Sequence, residues 1–250
     1  RRCRSRCSGG FVTETASEDG AHAVTDRNGG LRDRLSIGLM CFAAIVYMSV
    51  VGEILAGRPL DIRASYLSEL AARQQSTGQW FRLADLVSSA VVVVATTLLI
   101  SIRGRWRTWR LSQRLLAIGL YAFGVATIID STLTPLDCAI SLPECRAQIA
   151  AGTMGQTEWL HNVSSGTAGV GIALFAASLL LITVRSWRMC EKRILLACVI
   201  AAMVVLLLSL ALLVVSESFG FAPLGIVQRV QVALSCLAIA LAPLPLVMRG

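Results

Sequence analysis

The sequence predicts an all-α protein, a polytopic membrane bundle of six transmembrane helices with one short external amphipathic helix. Three observations predict it. Of the 250 residues, 55% are hydrophobic and 15% charged, with a mean hydropathy of +0.69, whereas a soluble domain carries about 25% charged residues. The charges gather in short runs between long apolar blocks. Each block holds about 20 residues, enough helix to cross roughly 30 Å of hydrocarbon.

Residues 1–34 are polar, contain Gly9-Gly10 and Gly29-Gly30, and lack apolar periodicity. They are expected to form a disordered cytoplasmic tail, leaving residues 35–250 as the transmembrane domain. Cys3 and Cys7 have no second pair to complete a zinc site, which takes about four ligands. His22 lies in the same tail and is given no role. The first span runs from about Leu35 to Ala56. A long polar region precedes it and its apolar core exceeds that of a signal peptide, about 7–15 residues, so it reads as an uncleaved helix. Glu53 lies near its far end.

In the connection 57–82, Ile62, Tyr66, Leu67, Leu70 and Ala71 recur at helical spacing, with Arg63, Ser68, Glu69 and Arg73 on other faces. This pattern predicts a short amphipathic helix in the interface, with Trp80 and Phe81 at the membrane boundary. The second span is about Leu83 to Ile102, with Asp85 near its start. Arg103, Arg105, Arg107, Arg110 and Arg114 follow, interleaved with Trp106 and Trp109. Between two spans they read as an anchor of arginines near lipid phosphates and tryptophans at headgroup level. The third span is about Leu115 to Pro135 and the fourth about Leu160 to Val184. The fifth is about Ile194 to Val215 and the sixth about Ile226 to Met248, its last turn loosened by Pro243 and Pro245.

The chain has a net charge of +8, and Lys192 is the only lysine among its 23 basic residues. No recognition motif accompanies this charge, so no nucleic-acid partner is expected. With the N-terminus inside, inner segments hold seventeen basic residues and outer segments six. That bias places both termini in the cytoplasm of a multi-pass cell-membrane protein and the Asp130–Ser165 region outside.

Polar residues then gather near the outer face: Glu53, Asp85, Asp130, Asp137, His161, Asn162, Ser164, Ser165, Glu217, Gln228, Arg229 and Gln231. Ionisable groups inside spans are costly, so they pair or line a cavity. Asp130 lies a turn or more inside the boundary and His161 opens the next span. Glu69 on the interfacial helix also needs a partner when buried, so Glu69, Asp130 and His161 are expected to form one cluster. Arg229 is available to pair with Asp130 or Glu217. The candidate set is Ser68, Glu69, Asp85, Asp130, Asp137, His161 and Arg229.

Cys138 and Cys145, with six residues between them, are expected to form a disulfide in the outer compartment. Cys41, Cys198 and Cys236 read as small packing residues within spans, and Cys190 lies at the inner face. Ser165, Gly169, Ala173 and Ala177 form a small-residue stripe suited to close helix contact. It places span four centrally. The sequence has no phosphate loop, H-E-x-x-H or G-x-S-x-G. One histidine outside the tail excludes a His-rich metal centre within a single chain, and neither metal nor cofactor is expected. No strong internal repeat supports a transporter built from inverted repeats.

The run SYLSELAARQQSTGQWFR resembles the Ser-Glu-Leu signature of a bacterial membrane family called domain of unknown function 998. TPLDCAISLPEC, followed by HNVSS, resembles the acidic-plus-cysteine loop and histidine of its actinobacterial members. The matching positions are Ser68, Glu69, Leu70, Asp137, Cys138, Cys145 and His161, over about residues 35–248. Ala71 stands where the family usually has glycine. The resemblance implies about six spans and brings no established activity. Three functions remain open. The first is an accessory or sensor protein of the cell envelope with an outer-face polar site, its partners the bilayer and a lipid or envelope ligand. The second is an enzyme on outer-leaflet lipid or cell-wall precursor, with His161 as general base. The third is a small proton-coupled permease using Asp130.

Overall fold

The computed structural model describes residues 16–101, 105–153, 156–187, 193–219 and 224–247, without the side chains of 16–29, 105, 156–157 and 216–219. Cys3, Cys7 and Cys190, and the side chains of His22 and Glu217, therefore lie outside the description. The described residues form helices and connections with no strand. The helices are α1 (Ala16–Val46), α2 (Ser49–Leu55), α3 (Gly78–Ile100), α4 (Arg105–Thr108) and α5 (Leu111–Thr132). They continue with α6 (Pro143–Ala150), α7 (Gln156–Ser186), α8 (Arg193–Phe219), α9 (Leu224–Leu241) and α10 (Pro243–Val247).

Among the described residues, five helical segments are each long and apolar enough to cross a membrane, and Gly30–Val46 with Ser49–Leu55, bent by 41° at a break, is the candidate for a sixth. The expected first span is thus broken at Tyr47 and Met48, without a proline or glycine at the break. Tyr47 turns inward there and meets Phe123 edge-on, with ring centroids 5.2 Å apart. Helix α1 also begins at Ala16, within the stretch expected to be a disordered tail. The sixth span, Leu224–Val247, is interrupted between α9 and α10, where Pro243 opens the new helix.

Helices α5 and α7 make the closest approach in the bundle. A Cβ on Gly119 would lie 2.6 Å from the backbone nitrogen of Phe175, and one on Gly171 would lie 2.5 Å from that of Phe123. Two Gly-x-x-x-Phe units thus pack reciprocally across an antiparallel pair, each glycine admitting the other helix's backbone. The stripe expected to do this lies two residues out of phase. Gly169 meets nothing within 4 Å and Ala177 is exposed. A step of two residues turns a helix face by about 200°. Span four is nonetheless central, packing against α5, α8 and α9.

The connections 56–77 and 133–153 and the start of α9 share one end of the bundle, here called the cap. The amphipathic helix expected in 57–82 is a five-residue 3-10 helix, Leu67–Ala71. Leu60, Leu67, Leu70 and Ala72 are buried in the protein core, so this segment is a strap over the bundle rather than an interfacial helix. Trp80 is 73% exposed at the boundary, while Phe81 is buried against Gly52. At the opposite, arginine-rich end, the anchor is partly internal. Trp109 is buried, and Arg114 folds back over Trp106, donating from Nε to the Trp106 carbonyl at 3.1 Å.

Candidate functional site

The cap is closed by two clamps. The first centres on Arg229, in the first turns of α9. Its Nε donates to Glu53 Oε2 at 2.7 Å and its Nη2 to Glu53 Oε1. Its Nη1 donates to the carbonyls of Gly225, Ser65 and Ile62 at 2.8, 3.0 and 3.1 Å. The strap can come this close because residue 225 is glycine: a Cβ there would lie 2.4 Å from the carbonyl oxygens of both Ile62 and Ser65. Gln228 Oε1 accepts the Leu67 N–H, and the Gly225 N–H reaches the Arg63 carbonyl at 3.3 Å. Arg229 pairs with Glu53 rather than with Asp130, and both members are buried. The fork of the guanidinium matches a carboxylate edge-on, and its remaining donors suit carbonyls.

The second clamp centres on Glu69. Its Oε1 accepts the Tyr66 N–H at 2.9 Å, across the first turn of the 3-10 helix. Its Oε2 accepts the Ser141 N–H at 2.9 Å and the Ser141 hydroxyl at 2.6 Å. Among the described residues, none of its hydrogen bonds runs to Asp130 or His161. The loop it holds is closed by the Cys138–Cys145 disulfide, with Cα atoms 5.7 Å apart. The Arg73 and Gln74 N–H groups donate to the Leu136 and Asp137 carbonyls at 2.8 and 3.0 Å. Asp137 also faces Arg73 Nε at 3.8 Å on the exposed surface. Ser68 is half-buried within the 3-10 helix.

Beneath the cap lies the third group, between α5 and α7. His161 Nδ1 is 2.9 Å from Asp130 Oδ1. The contact is within ionic distance but out of line for an N–H···O bond, and this buried nitrogen has no hydrogen bond. The Ser164 hydroxyl donates to Asp130 Oδ1, and the Ser165 hydroxyl to Oδ2 at 3.2 Å. Thr134 Oγ1 reaches Oδ1 at 3.4 Å and Ser164 Oγ at 2.9 Å. Ser165 Oγ is also 3.3 Å from His161 Nε2. Helix α7 presents His161, Ser164 and Ser165 together because i, i+3 and i+4 share a face. Asp85 is half-buried on α3, and Tyr47 lies at the α1–α2 break.

The seven sequence candidates therefore separate. Asp130 and His161 meet, with Asp85 nearby. Glu69 and Arg229 each hold a different part of the strap, and Asp137 lies on its surface. Sequence reasoning placed Glu53 and Gln228 at the outer face without pairing them with Arg229 and Leu67, and it missed Ser141 and Thr134. Ser141 had one available signal: Glu69 needed a donor from a neighbouring connection, and the disulfide loop was the nearest polar one. Among the described residues, no group of three or more His, Cys, Asp or Glu side chains is arranged to hold a metal ion.

A family model described as "Protein of unknown function (DUF998)" matches residues 36–244, and the chain belongs to that family. No curated protein and no solved structure matches it.

Proposed function

We propose that this DUF998 member is a non-catalytic accessory or sensor protein of the cell envelope. Both termini are cytoplasmic, and the cap faces outward to meet its partner. One observation carries this reading: Glu53, Glu69 and Arg229 are fully occupied in holding the cap together. A catalytic acid needs a bond to offer the substrate. These groups instead fix two connections into one rigid, polar surface, with exposed Arg63, Gln74, Glu144 and Arg146. Pre-organisation of this kind favours recognition, because little ordering entropy remains to be lost on binding.

A photo-reactive residue placed at Arg146 in native membranes tests it. The expected result is a discrete protein adduct that disappears in the Cys138→Ser/Cys145→Ser variant while the spans stay folded. The absence of any adduct at Arg146, Gln74 and Glu144 alike overturns the reading. Labelling of a cysteine placed at Arg146 by an impermeant reagent only after permeabilisation overturns the orientation.

A second reading, a membrane-embedded hydrolase, is favoured by one geometry. Ser165 Oγ, His161 and Asp130 follow the order nucleophile, base, orienting acid, at 3.3 and 2.9 Å. Covalent labelling of Ser165 by a fluorophosphonate, lost in His161→Gln, would establish it in place of the first.

A further inference from the structure

Helix α8 is less covered than the four spans from α3, α5, α7 and α9–α10: only 17% of its apolar window is buried, against 33% to 50% for those four. A groove of about 460 Å³ runs between α7 and α8. It is lined by Val184 and Trp187 on one side and by Ala197, Ile200, Ala201 and Val204 on the other. The volume lies within the range of ligand clefts, about 300–1,000 Å³. The small side chains of Ala197 and Ala201, one turn apart, leave the space.

Exposed Arg193 stands one turn before Ala197, and so on the groove's face of α8. Exposed Arg185 adjoins Val184 at the same mouth. An apolar groove opening towards hydrocarbon takes an apolar occupant, and basic charge at its mouth selects an anionic head. We propose that the groove seats an acyl chain of an anionic glycerophospholipid, its phosphate against Arg193 and Trp187 at headgroup level. A second copy of the chain fits less well. It would need an acidic group at Arg193, and the exposed residues beside the groove, Ile194, Leu195 and Leu208, are apolar.

The test is native mass spectrometry of the full chain released from bilayer discs of equal parts phosphatidylglycerol and phosphatidylcholine. The expected result is a single retained phosphatidylglycerol, preferred over phosphatidylcholine. Arg193→Gln should reduce that preference about fivefold, the effect of one basic residue at a membrane surface. Ala201→Phe should fill the groove and remove the retained lipid of either kind. Ala197→Leu gives a milder filling, and the thermal midpoint of each variant reports whether it is folded. Equal retention of both lipids overturns the headgroup assignment. Retention unchanged by both filling variants places the lipid elsewhere, and a dimer that these variants dissociate gives the groove to a second copy.

Discussion

Acid-centred groups lie in the cap of this bundle and beneath it, and their bonding differs. Around Glu53, Arg229 and Glu69, the carboxylates and the guanidinium meet partners in line and out of water. Around Asp130 and His161, the carboxylate accepts the Ser164 and Ser165 hydroxyls of α7, yet the imidazole Nδ1 beside it has no hydrogen bond. Side-chain exposure follows the same division: 2% for Glu53 against 22% for Asp130. A completed, buried polar network fixes geometry. An incomplete, partly accessible one can change state without unfolding the protein.

The largest stability effect is expected at Arg229. Arg229→Ala leaves Glu53 buried without its partner and the strap carbonyls of Ile62 and Ser65 without a donor. Removing one member of a buried pair is destabilising by about 3–5 kcal/mol. The thermal midpoint in detergent should fall sharply. Replacing Glu53 and Arg229 together by Met should recover only part of the loss, because the carbonyls of Ser65 and Ile62 stay unpaired. Full recovery would mean that the guanidinium serves Glu53 alone.

A smaller loss is expected from the disulfide. A short closed loop contributes about 2–3 kcal/mol through the entropy of the unfolded chain. In Cys138→Ser/Cys145→Ser, the loop keeps its bonds to Glu69, Arg73 and Gln74. Hydrogen exchange should quicken in residues 138–145 while the spans stay protected. Glu69→Gln tests the other anchor of the same loop. One amide NH2 must then face an N–H donor, which costs about 1–3 kcal/mol. Exchange should quicken at both Tyr66 and Ser141. Faster exchange at Ser141 alone would mean that the strap does not depend on Glu69.

The spans were legible because bilayer thickness demands a long apolar helix, and no tertiary information is needed to see one. The Cys138–Cys145 disulfide was legible because its partners are close in sequence. The pairing of Glu53 with Arg229 was not, since it joins positions 176 residues apart and depends on Gly225 admitting the strap. The break at Tyr47 has no sequence mark; its visible counterpart is the packing of Tyr47 on Phe123. The Gly119–Gly171 contact eluded a search for small residues four apart, because its spacing partner on each helix is phenylalanine. Asp130 and His161 could be anticipated together because a polar residue inside a span demands a partner and the adjoining span begins with one.

The smallest stability effect is expected at Asp130, and it tests the contrast most directly. Asn keeps one carbonyl oxygen, which can accept the Ser164 or the Ser165 hydroxyl. Its amide can donate to an imidazole nitrogen, so most contacts across α5 and α7 survive the change. The Asp130 carboxylate in this contact is partly exposed, and partly exposed charged contacts contribute about 0–1 kcal/mol. The helices are also held independently by the Gly119 and Gly171 contact, which Asp130→Asn leaves untouched. The thermal midpoint should therefore move far less than in Arg229→Ala or Glu69→Gln. What should change is the ring of His161, which loses an anionic neighbour at 2.9 Å. Its imidazole nitrogen resonances in labelled protein should shift while the methyl resonances of the bundle stay in place. A drop in stability as large as that of Arg229→Ala would make Asp130 a third clamp and remove the distinction between the two groups.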